Sequence, residues 1–229
     1  MIRPARSKTH SRFSNPPFVT EAFTLSSLPL FPLKAVLYPG GRLPLRVFEV
    51  RYLDMIGRCH QAGAPFGVVT LTEGAEVRRP GAGAEAFADI GTLATIESLT
   101  QAQPGLISIR CVGQQRFRIT SREQMRHGLW IANVERLADD LPVTVPADLR
   151  YAADALAKLV ASLKAQHADP EAFPLALPMR LDDAGWVANR WCELLPVPLE
   201  LKQRLMALDN PLVRLELVSD ILGRTGIVG

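Results

Sequence analysis

LPLFPLKAVLYPGGRLPLRVFEVRY, residues 28–52, is the stretch on which the fold turns. Leu28-Pro29-Leu30-Phe31-Pro32-Leu33 is apolar throughout, and its prolines suit an edge strand or a strand start, because proline donates nothing to a ladder. Tyr38-Pro39-Gly40-Gly41 is a turn signal, with Pro presetting φ and Gly permitting positive φ. Leu43 to Val47 is the next extended run. The period then changes. Phe48, Tyr52, Met55, Ile56 and Cys59 share an arc of about 100° at helical spacing, which predicts a helix from Phe48 to Gln61 with a buried stripe. Gly63 is its end signal. Arg51, Asp54 and Arg58 fall on a separate arc, about 60° wide, which should face solvent or a partner.

Outward from this stretch, short extended runs continue to about Leu137. Phe66 to Leu71 and Ile90 to Ile96 read as strands, separated by a loop over residues 73–86. Leu106 to Val112 and Gln115 to Thr120 flank Gly113-Gln114, which reads as a hairpin turn, and Trp130 to Leu137 closes the series. Beyond Asp139-Asp140-Leu141-Pro142 the spacing becomes helical. Leu149, Ala153, Leu156, Val160 and Leu163 define one helix ending near His167. Asp182 or Asp183 caps a second, which carries Trp186 and Trp191. Pro198 opens a third over Leu199 to Leu208, and Asn210-Pro211 opens a last one that Gly223 ends. The expected class is α+β: a β pseudo-barrel with one helix over residues 25–140, then a helical bundle over 141–229.

The chain has 229 residues, 48% hydrophobic and 21% charged, which excludes intrinsic disorder of the whole. A fold of this size buries roughly 70% of its unfolded surface and needs neither metal nor disulfide. The net charge of +3 is misleading. Residues 1–20 hold Arg3, Arg6, Lys8 and Arg12 and no acid, so the remainder sets 22 bases against 23 acids. A nucleic-acid-binding domain carries its excess of bases on the folded body, and this body is neutral. The leader, residues 1–24, is expected to be disordered; its composition also fits a transit peptide, but Pro4, Pro16 and Pro17 would interrupt the helix such a peptide needs. Cys59, Cys111 and Cys192 are odd in number and far apart, with no CxxC, which fits a reducing cytoplasm. No stretch resembles a membrane span.

Catalytic constellations are missing. Gly81-Ala82-Gly83, beside Arg78-Arg79, lacks the Lys-Ser/Thr ending of a P-loop and the third Gly of a dinucleotide fingerprint. His10, His60, His127 and His167 stand in no hydrolase or metal motif. Ser162 and Lys164, two apart on a helix, point to opposite sides and form no dyad. Asp139-Asp140 and Asp182-Asp183 stand where turns and caps want Asp. No enzyme, cofactor or metal is expected. Trp186 and Trp191 could line an apolar groove, although core packing of a helical bundle is the favoured account of them. Arg110, Arg116, Arg118, Arg122 and Arg126 form a local run of bases, with Arg116 and Arg118 on one strand face; an RNA-binding module is the alternative they would serve.

These blocks resemble the Lon protease amino-terminal, substrate-binding domain. The resemblance rests on Phe31-Pro32, Val36-Leu37-Tyr38-Pro39-Gly40, Leu43-Pro44-Leu45 and Phe48-Glu49-Val50-Arg51-Tyr52. Phe66-Gly67-Val68-Val69, Ile90-Gly91-Thr92-Leu93-Ala94, Gly113 to Ile119 and Leu201 to Leu205 follow in the family's order. It implies a PUA-like pseudo-barrel followed by a helical bundle. It also implies a non-catalytic module that recognises unfolded or tagged polypeptide segments, with a protease or chaperone as a further partner. The nucleotide-binding module and the Ser–Lys protease domain of Lon find no counterpart in these 229 residues. Phe31, Pro32, Pro39, Gly40, Phe48, Glu49, Arg51 and Tyr52 are expected to be structural motif residues, and Arg51, Asp54 and Arg58 a peptide-contacting face.

Overall fold

The computed structural model describes residues 24–77, 85–166, 175 and 178–226. Residues 1–23 of the leader, the Arg78–Gly83 loop, His10 and His167 lie outside the described residues, and Thr24, expected as the leader's last residue, opens the first strand. Strands run as β1 (Thr24–Leu33), β2 (Arg42–Val47), β3 (Phe66–Glu73), β4 (Ala86–Phe87), β5 (Ile90–Gln103), β6 (Leu106–Gln124) and β7 (Trp130–Arg136). Helix α1 (Val50–Ala62) follows β2, and α2 (Arg150–Gln166), α3 (Ala184–Leu194), α4 (Leu199–Ala207) and α5 (Pro211–Thr225) follow the strands. The sheet order is β1-β7-β6-β5-β3-β4, and parallel pairing of β1 with β3 closes the first five into a ring. β2 lies outside this path, antiparallel to β6.

β1 is not an edge strand, yet its prolines are accommodated for the reason that confines them to edges. Its first half, to Leu30, pairs with β7, and its second half, from Leu30, pairs with β3. Pro29 and Pro32 therefore each sit where only one neighbour needs hydrogen bonds. The Tyr38–Gly41 turn forms as its residues demand. Gly40 has φ +69 and the Gly41 amide donates to the Tyr38 carbonyl at 2.9 Å, with Pro39 at the position that fixes φ. Gly113 is a different matter. It does not turn the chain but lies inside the continuous strand β6. Its amide donates to Gly41 O, and its carbonyl accepts from the Gly40 amide, both at 2.8 Å. A Cβ on Gly113 would stand 2.2 Å from Tyr38 O, so the glycine serves close approach of two backbones. The hairpin turn lies instead at Pro104-Gly105, where Gly105 has φ +78.

Three apolar clusters fill the molecule. One lies under α1, where Tyr52, Met55, Ile56 and Cys59 pack on Phe31, Phe66 and Ile109. A second, with Leu30, Leu93, Phe117 and Val134, fills the ring. The third gathers Leu156, Val160, Trp186, Trp191, Leu215 and Leu222 from the later helices, together with Tyr38 from the turn. Both tryptophans are thus core. The helix caps follow the sequence: Asp183 accepts from the Trp186 amide at 3.1 Å, and Asn210 accepts from those of Leu212 and Val213. The last helix runs past Gly223 to Gly226, which has φ +66.

The seam between strands and helices is polar and buried. Arg116, on β6, donates to Met206 O (3.1 Å) and Leu208 O (2.8 Å) at the end of α4. Arg214, 1% exposed, donates to both oxygens of Asp140, to Asn189 Oδ1 at 3.0 Å and to Leu205 O at 2.9 Å. Arg190, fully buried, clasps the turn through Gly40 O (2.6 Å) and Pro39 O (3.0 Å), and pairs with Glu193 at 2.7 Å. Burial pushes the Glu193 carboxyl up to about 7, against the pull of Arg190 and Lys202 toward the charged form.

Two outcomes follow for stability. Arg214→Ala leaves Asp140 without its principal partner and the Leu205 carbonyl without its guanidinium donor, and should cost about 3–5 kcal/mol in urea unfolding; a cost under ~1 kcal/mol would mean that water replaces the guanidinium freely. Glu193 binds its proton more tightly folded than unfolded, so its contribution to stability falls as pH rises from about 4.5 to about 7 and is constant above that. The melting temperature of wild type should therefore drop between pH 5 and pH 8 relative to that of Glu193→Gln. Parallel curves would show that Glu193 stays ionised throughout.

Candidate functional site

Helix α1 carries the face expected to meet a partner, and the structure divides it. Arg51 is buried at 7% exposure, while Asp54 and Arg58 are exposed. The Arg51 guanidinium lies 4.5 Å over the Tyr52 ring, and Tyr52 stacks on Phe31 with centroids 4.1 Å apart. It donates to Gly128 O at 2.8 Å, to Glu49 Oε2 at 3.2 Å and to Glu85 Oε1 at 3.3 Å. The other oxygen of Glu85 accepts from Trp130 Nε1 at 2.8 Å. One arginine thus ties α1 to the segment before β4 and to the β6–β7 connection. Its position on the helical wheel held, but long-range packing covers it. Arg51 is a structural tie, and only Asp54 and Arg58 remain available to a partner.

Phe48 corrects the stripe in the opposite direction. It is 53% exposed, although helical spacing placed it with Tyr52 and Met55. The helix starts at Val50, so Phe48 still obeys the alternation of the strand before it. Val47 points in at 2% exposure and Phe48 therefore points out. Val50, in the first turn, is 73% exposed. Phe48 lines an open hollow of about 510 Å³ with Arg46, Gln103, Pro104, Gly105 and Leu106 from the β5–β6 hairpin. An aromatic ring, a proline and a leucine there face solvent beside a single cation. Asp54 and Arg58 stand on the same face of α1 as Val50, one and two turns along the helix.

The other motif residues play structural parts. Phe31 and Pro32 are buried, Pro39 and Gly40 form the clasped turn, and Glu49 helps hold Arg51. The run of arginines on β6 is broken. Arg116 and Arg118 do share the outer strand face, but helices cover Arg116, which Asp140 and Asp209 neutralise at 3.5 and 3.4 Å. Arg122 pairs with Asp89 at 3.3 Å and lies 4.6 Å over the Phe87 ring. The sequence carried no local signal for Glu85 or Gly128, which lie 34 and 77 residues from Arg51. Asp140, expected as a turn residue, is the acid of the seam.

Comparison with known proteins accords with this architecture. Residues 27–224 match the family model of the ATP-dependent protease La (LON) substrate-binding domain. The chain is similar to a Lon N-terminal domain protein from Xanthomonas campestris. Their identity is 30% with a TM-score of 0.65, over 85% of this chain and 97% of that one. The N-terminal domain of a Mycobacterium avium complex Lon protease shares the fold at 16% identity, with a TM-score of 0.54 over 85% and 96% of the two chains. No curated protein matches.

The two arginines of α1 should separate in a stability measurement. Arg51→Ala removes the cation that Glu49 and Glu85 face and one donor to the Gly128 carbonyl, and should cost about 3–5 kcal/mol. Arg58→Glu, on an open face, should stay within about 0.5 kcal/mol of wild type. Denaturant midpoints that placed the two variants together would contradict this division of the helix.

Proposed function

We propose that this chain, which belongs to the family of Lon substrate-binding domains, recognises unfolded or tagged polypeptide segments and carries out no catalysis itself. The observation that carries the reading is exposed Phe48 on the Pro104–Leu106 hollow, with Val50, also exposed, two residues further along the chain. Solvent-facing apolar side chains with a polar rim are what a binder of many unrelated segments needs, since most of the affinity then comes from burial. Asp54 and Arg58 form that rim and orient the segment. A near-neutral body excludes partners of neither sign.

The closed strand ring and the shared core of the later helices support a PUA-like pseudo-barrel over residues 25–140 and a helical bundle over 141–229. A protease or chaperone would receive the bound segment. Three buried free thiols fit a reducing cytoplasm, and no helix among the described residues is long and apolar enough to cross a membrane. The burial and pairing of Arg116 leave the RNA alternative without its basic stripe.

Binding should be micromolar or weaker, because each segment must be ordered as it binds. A titration with unfolded casein should show at least a tenfold loss for Phe48→Glu/Val50→Glu, with the circular dichroism unchanged. Arg58→Glu should alter mainly the salt dependence. Equal affinity of the double variant and wild type would remove this patch from the site. Peptidase activity of the purified chain that was lost on Ser162→Ala would overturn the non-catalytic reading.

A further inference from the structure

On another side of the molecule, an open cavity of about 480 Å³ lies between the segment that joins β1 to β2 and helices α3 and α4. Its charged lining is unbalanced. Among the described residues Lys34, Arg42 and Lys202 face it against Glu193, and Glu76 Oε1 accepts from the Lys34 backbone amide at 2.5 Å. Glu193 is already committed to Arg190 at 2.7 Å, and Arg42 to Glu97 at 2.9 Å. The Lys202 ammonium donates to a carbonyl, that of Glu193, at 3.1 Å. Arg42 also holds a buried Nε with no hydrogen-bond partner, a donor whose desolvation is uncompensated. The rest of the wall is apolar, with Val36, Leu43 and Leu194 among its side chains.

We infer that this cavity captures the C-terminus of a polypeptide, the α-carboxylate held by Lys34 and Lys202 and the last apolar side chain against Val36, Leu43 and Leu194. The charge excess calls for an anion. The apolar wall calls for a hydrocarbon group attached to it, which excludes free phosphate as the fitting occupant. The volume accommodates a few residues and no folded partner. Charge-assisted bonds from the two ammonium groups to a carboxylate are the strong kind. Capture of a terminal carboxylate beside an apolar side-chain pocket is an established mode of peptide recognition. The inference rests on the reading of the chain as a polypeptide binder and narrows its substrates to chains with a free, apolar C-terminus.

The test uses the full chain and a fluorescent hexapeptide ending in Ala-Leu, prepared as the free acid and as the amide. Fluorescence anisotropy should show the acid binding about tenfold more tightly than the amide. Lys34→Met/Lys202→Met should erase that difference with the unfolding midpoint unchanged. If the double variant does not fold, the single variants Lys34→Gln and Lys202→Gln should each reduce the acid-to-amide ratio. Equal binding of acid and amide by wild type overturns the inference, as does a ratio that survives in the folded variants. Displacement of the peptide by decanoate at lower concentration than by unlabelled peptide also overturns it, replacing a polypeptide with a lipid. Unfolded casein separates the two readings. Casein binding without an acid preference removes the carboxylate site alone, whereas an acid preference that persists in Phe48→Glu/Val50→Glu, with casein binding also intact, removes the Phe48 patch alone.

Discussion

The pairing of Arg214 with Asp140 is the constraint on which the arrangement of strands and helices depends. A buried ion pair is a poor source of net stability, because desolvation offsets most of the attraction, but a misplaced one is severely penalised. It therefore acts as a registry device. Around it, Arg116 and Arg214 direct their remaining donors to the carbonyls of Leu205, Met206 and Leu208. These belong to the last turn and end of α4, where helical carbonyls have no partner within the helix. Cations at that end also meet the negative pole of the helix. A strand residue and a residue of α5 thereby satisfy the terminus of a third element, and none of the three can move without stranding a donor or an acceptor.

Arg190 repeats this logic at the Pro39-Gly40 turn. Its guanidinium takes both turn carbonyls while the amides on either side bond to Gly113 and Tyr38. The turn is consequently held from both sides, by α3 and by β6. Tyr38 completes the clasp: its ring enters the helical core and its hydroxyl donates to Lys202 O at 2.7 Å. The short motif at residues 38–40 is thus the point at which strands and helices are joined, which gives a physical reason for its residue types. Pro and Gly make the turn, and an aromatic ring with a polar tip can be buried without an unpaired hydroxyl.

Local rules were legible in the sequence wherever the physics is local. The turn at Tyr38–Gly41, the caps at Asp183 and Asn210, and the stripe Tyr52, Met55, Ile56 and Cys59 all depend on neighbours within a few residues. Most of the departures are long-range, and one is a local boundary. Gly113 permits a turn, whereas its use here is to admit a backbone more than seventy positions away. Arg51 belongs to the outward arc of its helix and is covered by groups 34 and 77 residues distant. Phe48 was absorbed into a helical period that begins two residues later. The ion pair at the seam spans 74 residues, and no spacing rule reaches that far.

The division of labour among charged and apolar groups bears on how such a module recognises partners. Arg116, Arg190, Arg214 and Arg51 are all buried and committed to carbonyls or acids within the fold. Phe48, Val50, Asp54 and Arg58 are exposed and hold nothing together. The groups that can meet a polypeptide are thereby released from supporting the structure. A surface of that kind can accept unrelated segments without repacking the core, and its contacts add to affinity without first breaking native ones. Rigid burial at the seam and on the inner face of α1 is what allows the outer face to remain unpartnered in the free protein.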